Sequence, residues 1–431
     1  MKKIAKPLLI AAGYAFLAYH FVVNVFTPTF FPDEQHLVND FGTYYVASRW
    51  IAEGEVPYRS EDNHHSVRLT TGELAAWQMN KAVIPAYVYP SPLAIALMPL
   101  SRLPFAEARL LWSSFCMVCF LGCISLTFYL LNRRPSFDVT TLLIFAVFLG
   151  SMPTLESFTL GQVNYPVLLL VLLSFTFHVR KAPLLSGGAL AVATLIKVSP
   201  GFLLLYFIWK KDLRAVAGFI LVICISAIPM LLIAPSVDFA FFKEILPALG
   251  GGTPELNNKA LAVWWQFSFL NNELATPIAH LPIVATMLSV LCSALVICSI
   301  VIVFNRSKGI DAINPSTVAL LRFLLCCTGA LLAQPYVEIH HLVFAFPALA
   351  GMIAILSPNA ERWRNLGRLV IVFFLLNSRG ENSFRWLGPN WYGAFFSNPQ
   401  AYGLLLIFIT AGLILTGNIP ISPESAARAE K

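Results

Sequence analysis

Apolar runs, separated by short polar connectors, fill most of this chain. They lie near residues 7–30, 105–131, 137–153, 163–180, 183–197, 201–209, 213–234, 276–304, 315–333, 341–357, 366–378 and 401–418. Crossing the hydrocarbon of a bilayer takes about 20 apolar residues, and irregular backbone at that depth must be sheltered by protein. The pattern therefore predicts a bundle of about 12 membrane-crossing helices, in which 201–209 and 366–378 are too short to cross alone. The run Tyr89–Leu103 is apolar but punctuated by Pro90, Pro92 and Pro99 and followed by Pro104, which predicts a re-entrant or interfacial helix.

The connectors sort by charge. Counted alternately from a cytoplasmic N-terminus, the inner ones hold Arg133 and Arg134, Arg180 and Lys181, Lys210 and Lys211, Arg306 and Lys308, the trio Arg362, Arg364 and Arg368, and finally Arg428 and Lys431. Every basic cluster falls on one side, which places both ends in the cytoplasm and the remaining connectors outside. The outer loops are 31–90, 235–275, Gln334–His340 and Arg379–Pro399, all rich in Trp, Tyr and Phe. Disordered segments lack such residues, so loops of this length point to function. Within the first loop, Phe41–Glu53 and His65–Lys81 have mixed helical faces, which suits amphipathic helices lying on the membrane surface. Lys2, Lys3 and Lys6 ahead of Pro7–Phe31 resemble a signal peptide, but the apolar run is too long and has no small-residue cleavage site, so it reads as a retained first helix.

Composition agrees with an all-α polytopic membrane protein forming one transmembrane domain over residues 1–431. The chain is 58% hydrophobic and only 12% charged, with a mean hydropathy of +0.72, far from a soluble globular balance. The net charge of +7 reflects the sided basic clusters and excludes nucleic acid as a partner. All eight cysteines lie inside apolar runs. They read as small buried hydrophobes, with neither a disulfide framework nor a zinc site, and no metal or other cofactor is expected.

The candidate chemistry gathers on the outer side. Asp40 stands directly after the first apolar span in His36-Leu-Val-Asn-Asp40-Phe-Gly-Thr-Tyr-Tyr45, where water meets lipid and a carboxylate can be partly shielded yet ionised, as a general base requires. It also precedes a helical stretch as an N-cap would, and a cap and a base are not exclusive. Tyr44, Tyr45 and Arg49 share the following turns. Asp33 and Glu34 lie close in sequence, so a second acid stays open. Gln162 and Asn164 open a helix on the same side and offer amides to hydroxyls or phosphate, or to backbone donors. Lys197 is alone in an apolar stretch before Val198-Ser-Pro200-Gly. An intramembrane lysine costs about 2.5–3.5 kcal/mol on insertion scales and marks a functional site unless it snorkels. A helix break there would expose backbone amides, a plausible phosphate pocket.

His340 and His341 follow Tyr336-Val-Glu338. Neighbours on an α-helix point about 100° apart, which makes one metal on both awkward, so a single histidine donating to phosphate or hydroxyl is expected. Asn257-Asn258-Lys259 and Trp264-Trp265 add polar and stacking groups that suit a sugar, although interfacial tryptophan is also the ordinary aromatic belt.

Asp40-Phe-Gly-Thr-Tyr-Tyr with Gly54-x-x-Pro-Tyr58, Tyr87-Val-Tyr-Pro90-Ser-Pro92, Gly161-Gln-Val-Asn164, Lys197-Val-Ser-Pro200 and the late His-His pair together resemble the GT87-type glycosyltransferases of the GT-C fold, which use polyprenyl-phosphate mannose. The resemblance spans residues 36 to about 350. It implies a transmembrane GT-C bundle with an outward-facing active site in the bacterial inner membrane. It further implies a polyprenyl-phosphate-linked sugar donor, mannose first among the sugars, a glycolipid or glycan acceptor, and Asp40 as the catalytic base. Around the donor phosphate and sugar it implies Lys197, His340, His341, Gln162 and Asn164, with Tyr44, Arg49 and Lys259 nearby. The chain has no Gly-rich nucleotide loop and no Asp-x-Asp motif. One base suffices when the leaving group is a phosphate, whereas a glycosidase sets two carboxylates about one bond. The rival from another class is a transporter or flippase for a lipid-linked sugar, which should show a midplane polar site between pseudo-symmetric halves. No such internal repeat is found.

Overall fold

The computed structural model describes residues 2–32, 40–58, 66–79, 83–252, 254–255, 257–272, 274–307, 315–356, 362–378, 390–392, 396 and 398–419. Asp33 and Glu34 lie outside the described residues. Helix dominates, as the apolar pattern predicts. Among the described residues, six helices are long and apolar enough to cross a membrane: Pro7–Phe30, Phe105–Leu130, Val139–Thr159, Leu213–Ile233, Pro282–Arg306 and Ile339–Leu356. Shorter apolar helices include Asn164–Val179, Pro183–Ile196, Val318–Ala333 and Pro399–Leu415. The proline-punctuated run forms the short helix Ser91–Ser101.

The chain divides into two compact units. One comprises His20–Ile124 and Leu155–Ala248; the other comprises Met1–Tyr19, Ser125–Thr154 and Leu249–Lys431.

In the first unit, helices Pro183–Ile196 and Leu213–Ile233 approach until backbone meets backbone. A Cβ on Gly187 would come within 1.8 Å of the Ala215 carbonyl oxygen, and one on Gly218 within 2.3 Å of that of Leu184. Small residues at a crossing are how membrane helices pack where burial in lipid drives nothing. Helix Pro183–Ile196 then ends in the extended backbone of Lys197, with φ −146° and ψ 121°, and the chain resumes as a 3-10 turn, Ser199–Leu203, before Leu204–Trp209. The helix break expected beside the lone lysine is present.

Helix Asp40–Ala52 forms where one was expected, but protein encloses it. Every residue from Phe41 to Ser48 is buried, as are Trp50 and Ile51. Its polar atoms find partners inside: Ser48 Oγ donates to the Tyr44 carbonyl at 2.7 Å, Thr43 Oγ1 to Pro85 O at 3.0 Å, and Tyr45 OH to Leu103 O at 2.8 Å. Phe41 stacks on Phe105 and Trp112, each at 5.8 Å. A helix with partners on every side is a core helix, so the surface position read from its mixed faces gives way.

The 65–81 stretch also differs from expectation. Ser66–Arg68 pairs antiparallel with Val83–Pro85, with Val67 opposite Ile84. Only Thr71–Trp77 is helical. A capping box between Thr70 and Glu73 starts that helix and left-handed Gln78 ends it. Glu73 also accepts from Trp50 Nε1 at 3.0 Å, tying the segment to the core helix.

In the second unit, Ile339–Leu356 is the most enclosed of the long spans. It starts as a 3-10 turn, Ile339–Ala345, and continues as α-helix Phe346–Leu356. Arg322, wholly buried, donates from Nε to Ser307 Oγ at 2.7 Å and from Nη2 to Ser307 O at 2.6 Å. It thereby places a cation at the C-terminal end of helix Pro282–Arg306, where the helix dipole favours one.

Candidate active site

The Leu160–Asn164 turn builds the centre of the site. Helix Met152–Thr159 closes with a Schellman arrangement: Gly161 N–H donates to Phe158 O at 3.1 Å and Gln162 N–H to Ser157 O at 2.8 Å. Gly161 supplies the left-handed residue this requires, at φ +67°. A Cβ there would also lie 2.8 Å from Phe41 Cβ, so glycine is needed twice over, for conformation and for space. The Phe41 amide donates to Leu160 O at 3.2 Å, and Trp112 Nε1 to Gly161 O at 2.7 Å. These bonds seat the turn directly against the start of helix Asp40–Ala52.

That seating brings Gln162 to Asp40. The Gln162 side-chain amide donates to Asp40 Oδ2. Its Oε1 accepts from Tyr44 OH at 2.9 Å and from Tyr89 OH at 3.2 Å, with the two phenol oxygens 3.1 Å apart. A carboxylate only accepts, so the NH2 end of Gln162 must face Asp40, and both phenols back the oxygen end. Gln162 and Tyr44 are buried and Asp40 is half-buried. Burial, with the neighbouring Tyr89 and then Asp40 charges, raises the Tyr44 phenol far above its ordinary range, so it stays a neutral donor.

Two residues on, wholly buried Asn164 opens helix Asn164–Val179. Its Oδ1 accepts from Lys197 Nζ at 2.9 Å, and the same ammonium stands over the Tyr89 ring, 5.9 Å from its centroid. One turn thus carries the amide that holds the acid and the amide that holds the cation. Beside it is an apolar cavity of about 570 Å³, walled by Leu93, Leu97, Trp112, Val163, Leu169 and Ile196 among others. Val163 separates the two amides and Ile196 precedes Lys197, so the cavity wall and the polar cluster share backbone.

Of the residues expected at the site, Asp40, Tyr44, Gln162, Asn164 and Lys197 come together in this unit. Arg49 takes a different place. Its Nη2 donates to Tyr45 OH at 3.0 Å and approaches Leu103 O at 3.5 Å. Nine residues after Asp40, it is about 180° around the helix at 100° per residue, whereas Tyr44 is about 40° away. Tyr89 is a site residue that motif reading did not single out; its sequence signal is an aromatic directly before Pro90.

Lys259, His340 and His341 belong to the second unit and have their own surroundings. Lys259 is buried and its amide donates to Val337 O. Asn258 ties the same loop to the Pro335–Val337 segment, donating to Pro335 O at 3.1 Å and accepting from the Val337 amide at 3.1 Å. Tyr336 OH lies 3.1 Å from Glu255 Oε2 and 3.0 Å from Glu338 Oε1; burial and then these two charges push its phenol well above the ordinary range. His340 Nε2 is 3.1 Å from Glu338 Oε2. Glu338, His340 and His341 offer ligand atoms within 4.8 Å of one another, and the two imidazole rings meet edge to face with centroids 4.4 Å apart. His341 Nδ1, however, accepts the Glu338 amide at 3.1 Å. Its Nε2 therefore carries the proton of the neutral ring, which leaves one carboxylate and one imidazole, Glu338 and His340, facing each other.

The family model of glycosyltransferase family 87 matches residues 87–335, a stretch that holds Tyr89, Gln162, Asn164, Lys197 and Lys259. No curated protein and no solved structure matches the chain. With more than half of its length matched and its apolar helices in place, the chain belongs to glycosyltransferase family 87 and is a membrane glycosyltransferase that moves a sugar from a donor to an acceptor.

Proposed function

We propose that the chain transfers a sugar, mannose first among the candidates, from a polyprenyl-phosphate donor to a hydroxyl of a glycolipid or glycan acceptor at the outer face of the inner membrane. Asp40 is the base. The observation that carries this reading is the shared turn, where Gln162 holds the carboxylate and Asn164 the ammonium beside an apolar cavity. A lipid-linked donor has a phosphate to meet Lys197 and a hydrocarbon chain to enter the cavity. A nucleotide-linked donor would have no use for the latter.

In the proposed step the acceptor oxygen attacks the anomeric carbon as its proton passes to the Asp40 carboxylate. The bond from that carbon to the phosphate oxygen breaks, and its electron pair leaves with polyprenyl phosphate, inverting the anomeric centre. The phosphate gains charge as it departs, so it needs a cation and no proton donor. Lys197, set by Asn164 and the Tyr89 face, fills that role in a scheme that uses no metal.

The test is transfer of labelled sugar from a panel of synthetic polyprenyl-phosphate sugars by the purified chain in nanodiscs, against Asp40→Asn. General-base catalysis contributes about 10²–10⁴-fold, so the variant should lose that much turnover and still bind donor. Undiminished turnover removes Asp40 from the role. If both proteins bind lipid phosphate and neither consumes any donor, the transport reading replaces the enzymatic one.

A further inference from the structure

Helix Ser91–Ser101 starts in a way its own sequence cannot complete. Pro90 at the cap position has no side-chain acceptor, and Pro92 at the second position has no N–H. The missing acceptor comes from a helix far along the chain. Asp238, buried in Pro235–Ala240, accepts the Ser91 N–H at 3.3 Å on Oδ1 and the Ser91 hydroxyl at 2.7 Å on Oδ2. A carboxylate at a helix N-terminus is also favoured by the dipole. Burial raises the Asp238 carboxyl above its ordinary range, and the two Ser91 donors draw it back.

The residues just before Ser91 are tethered in the same way. Tyr58 OH donates to Tyr89 O at 2.7 Å, and Tyr87 OH to Pro90 O at 2.9 Å. Tyr58 stacks on Tyr87 at 5.9 Å and packs against Phe241, three residues beyond Asp238, at 6.2 Å. Tyr89 and Ser91 are thereby fixed from outside the segment, and Pro90 between them by Tyr87 within it. Tyr89 is also the residue whose phenol meets Gln162 and whose ring faces Lys197.

We propose that Asp238 is a positioning residue of the donor site: by holding Ser91 it fixes the Tyr87–Ser91 run and so keeps the Tyr89 ring under the Lys197 ammonium. This rests on the proposed reaction. Gln162 retains its bond to buried Tyr44 when Tyr89 loosens, so Asp40 stays oriented and the loss falls on donor binding.

The experiment measures donor KM and kcat for sugar transfer in nanodiscs, with hydrogen exchange over Tyr87–Ala94, for the unmodified chain, Asp238→Ala and Asp238→Asn. Asp238→Ala should raise donor KM about tenfold, the order of a lost cation–π contact in a desolvated site, with kcat within about threefold and faster exchange in that segment. Asp238→Asn should recover most of both, since its Oδ1 can accept the Ser91 N–H and its amide can donate to Ser91 Oγ. The inference is overturned by an unchanged KM, by unchanged exchange, or by equal losses in the two variants. Should Asp238→Ala fail to fold, Ser91→Ala decides: it removes only the hydroxyl bond and should raise KM about threefold, and an unchanged KM is again fatal. If the unmodified chain consumes no polyprenyl-phosphate sugar, it is the proposed reaction that has failed, and the donor role of Asp238 goes with it.

Discussion

Gln162→Glu tests the centre of the site with the smallest change of shape. Glutamate keeps the oxygen that Tyr44 and Tyr89 bond to and replaces the NH2 facing Asp40 with a second oxygen. Two carboxylates then share a position built for a carboxylate and its donor. At about 4 Å their repulsion is about 1 kcal/mol in bulk water and about 4 kcal/mol at an effective dielectric of 20. Asp40 is half-buried, so the value falls between these limits. At about 1.4 kcal/mol per pH unit, the pair holds a proton to a pH about one to three units higher than a single carboxylate would.

A protonated base is inactive, so raising the pH of proton loss moves the acid limb of the pH–rate profile upward. Counted from an ordinary carboxylate near pH 4, the limb moves to about pH 5–7, so turnover at pH 5 should fall about 2- to 100-fold and recover as the pH approaches 9. The companion variant Gln162→Met separates charge from geometry. It leaves the buried Tyr44 phenol and the half-buried Tyr89 phenol without their acceptor, at about 1–3 kcal/mol, and should slow the reaction at every pH without moving the limb. The assay is labelled-sugar transfer in nanodiscs from pH 5 to 9 with saturating donor. A Gln162→Glu profile whose limb superimposes on that of the unmodified chain would refute the placement of this amide on the base.

Lys197→Met removes the ammonium and keeps most of the stem, so donor KM should rise about 10- to 100-fold, the scale of a lost charged hydrogen bond of about 1.5–3 kcal/mol; an unchanged donor dependence returns Lys197 to a snorkelling role. Gly161→Ala forces φ +67° on a residue with a Cβ 2.8 Å from that of Phe41, which should cost about 1–2 kcal/mol for the backbone alone and lower both Tm and kcat; a variant matching the unmodified chain in both would show that the turn is not needed to seat Gln162. Leu169→Trp, on the cavity wall, should raise KM for a long polyprenyl donor several-fold and leave a short-chain analogue unaffected, because only the long chain needs the filled space; equal effects on both donors would disconnect the cavity from the lipid.

The helices were legible because a bilayer leaves the backbone few options, and a run of apolar residues states the answer in composition alone. Local rule-breaking was legible too. An isolated lysine beside Ser-Pro-Gly marks the break at Lys197, and Gly161 ahead of two amides marks the turn. What sequence could not supply was enclosure. The mixed faces of 41–53 read as a surface helix because the partners of Ser48, Thr43 and Tyr45 include carbonyls as remote as Pro85 and Leu103, and no local pattern lists those. Arg49 is a different kind of miss. Its phase against Asp40 was available from the helical repeat, and counting residues on the same turns in place of angles hid it.

Asp238 and Tyr89 show the limit most sharply. Each looks ordinary where it stands, an acid in a short helix and an aromatic in a proline-rich run. Their meaning comes from the one residue between them in space, Ser91, whose flanking prolines leave its helix without a cap of its own. That deficiency is written in the sequence and can be read there: Pro-Ser-Pro at the head of an apolar helix demands an acceptor from elsewhere. The identity of the acceptor is not written, since a buried carboxylate 147 residues away satisfies the demand as well as a nearer one would. The candidate site is built in the same manner, from local deficiencies answered at long range. A carboxylate at the start of one helix and an ammonium at the broken end of another are each answered by an amide of the Gln162–Asn164 turn. Sequence therefore identifies the residues that need a partner more reliably than it identifies the partner.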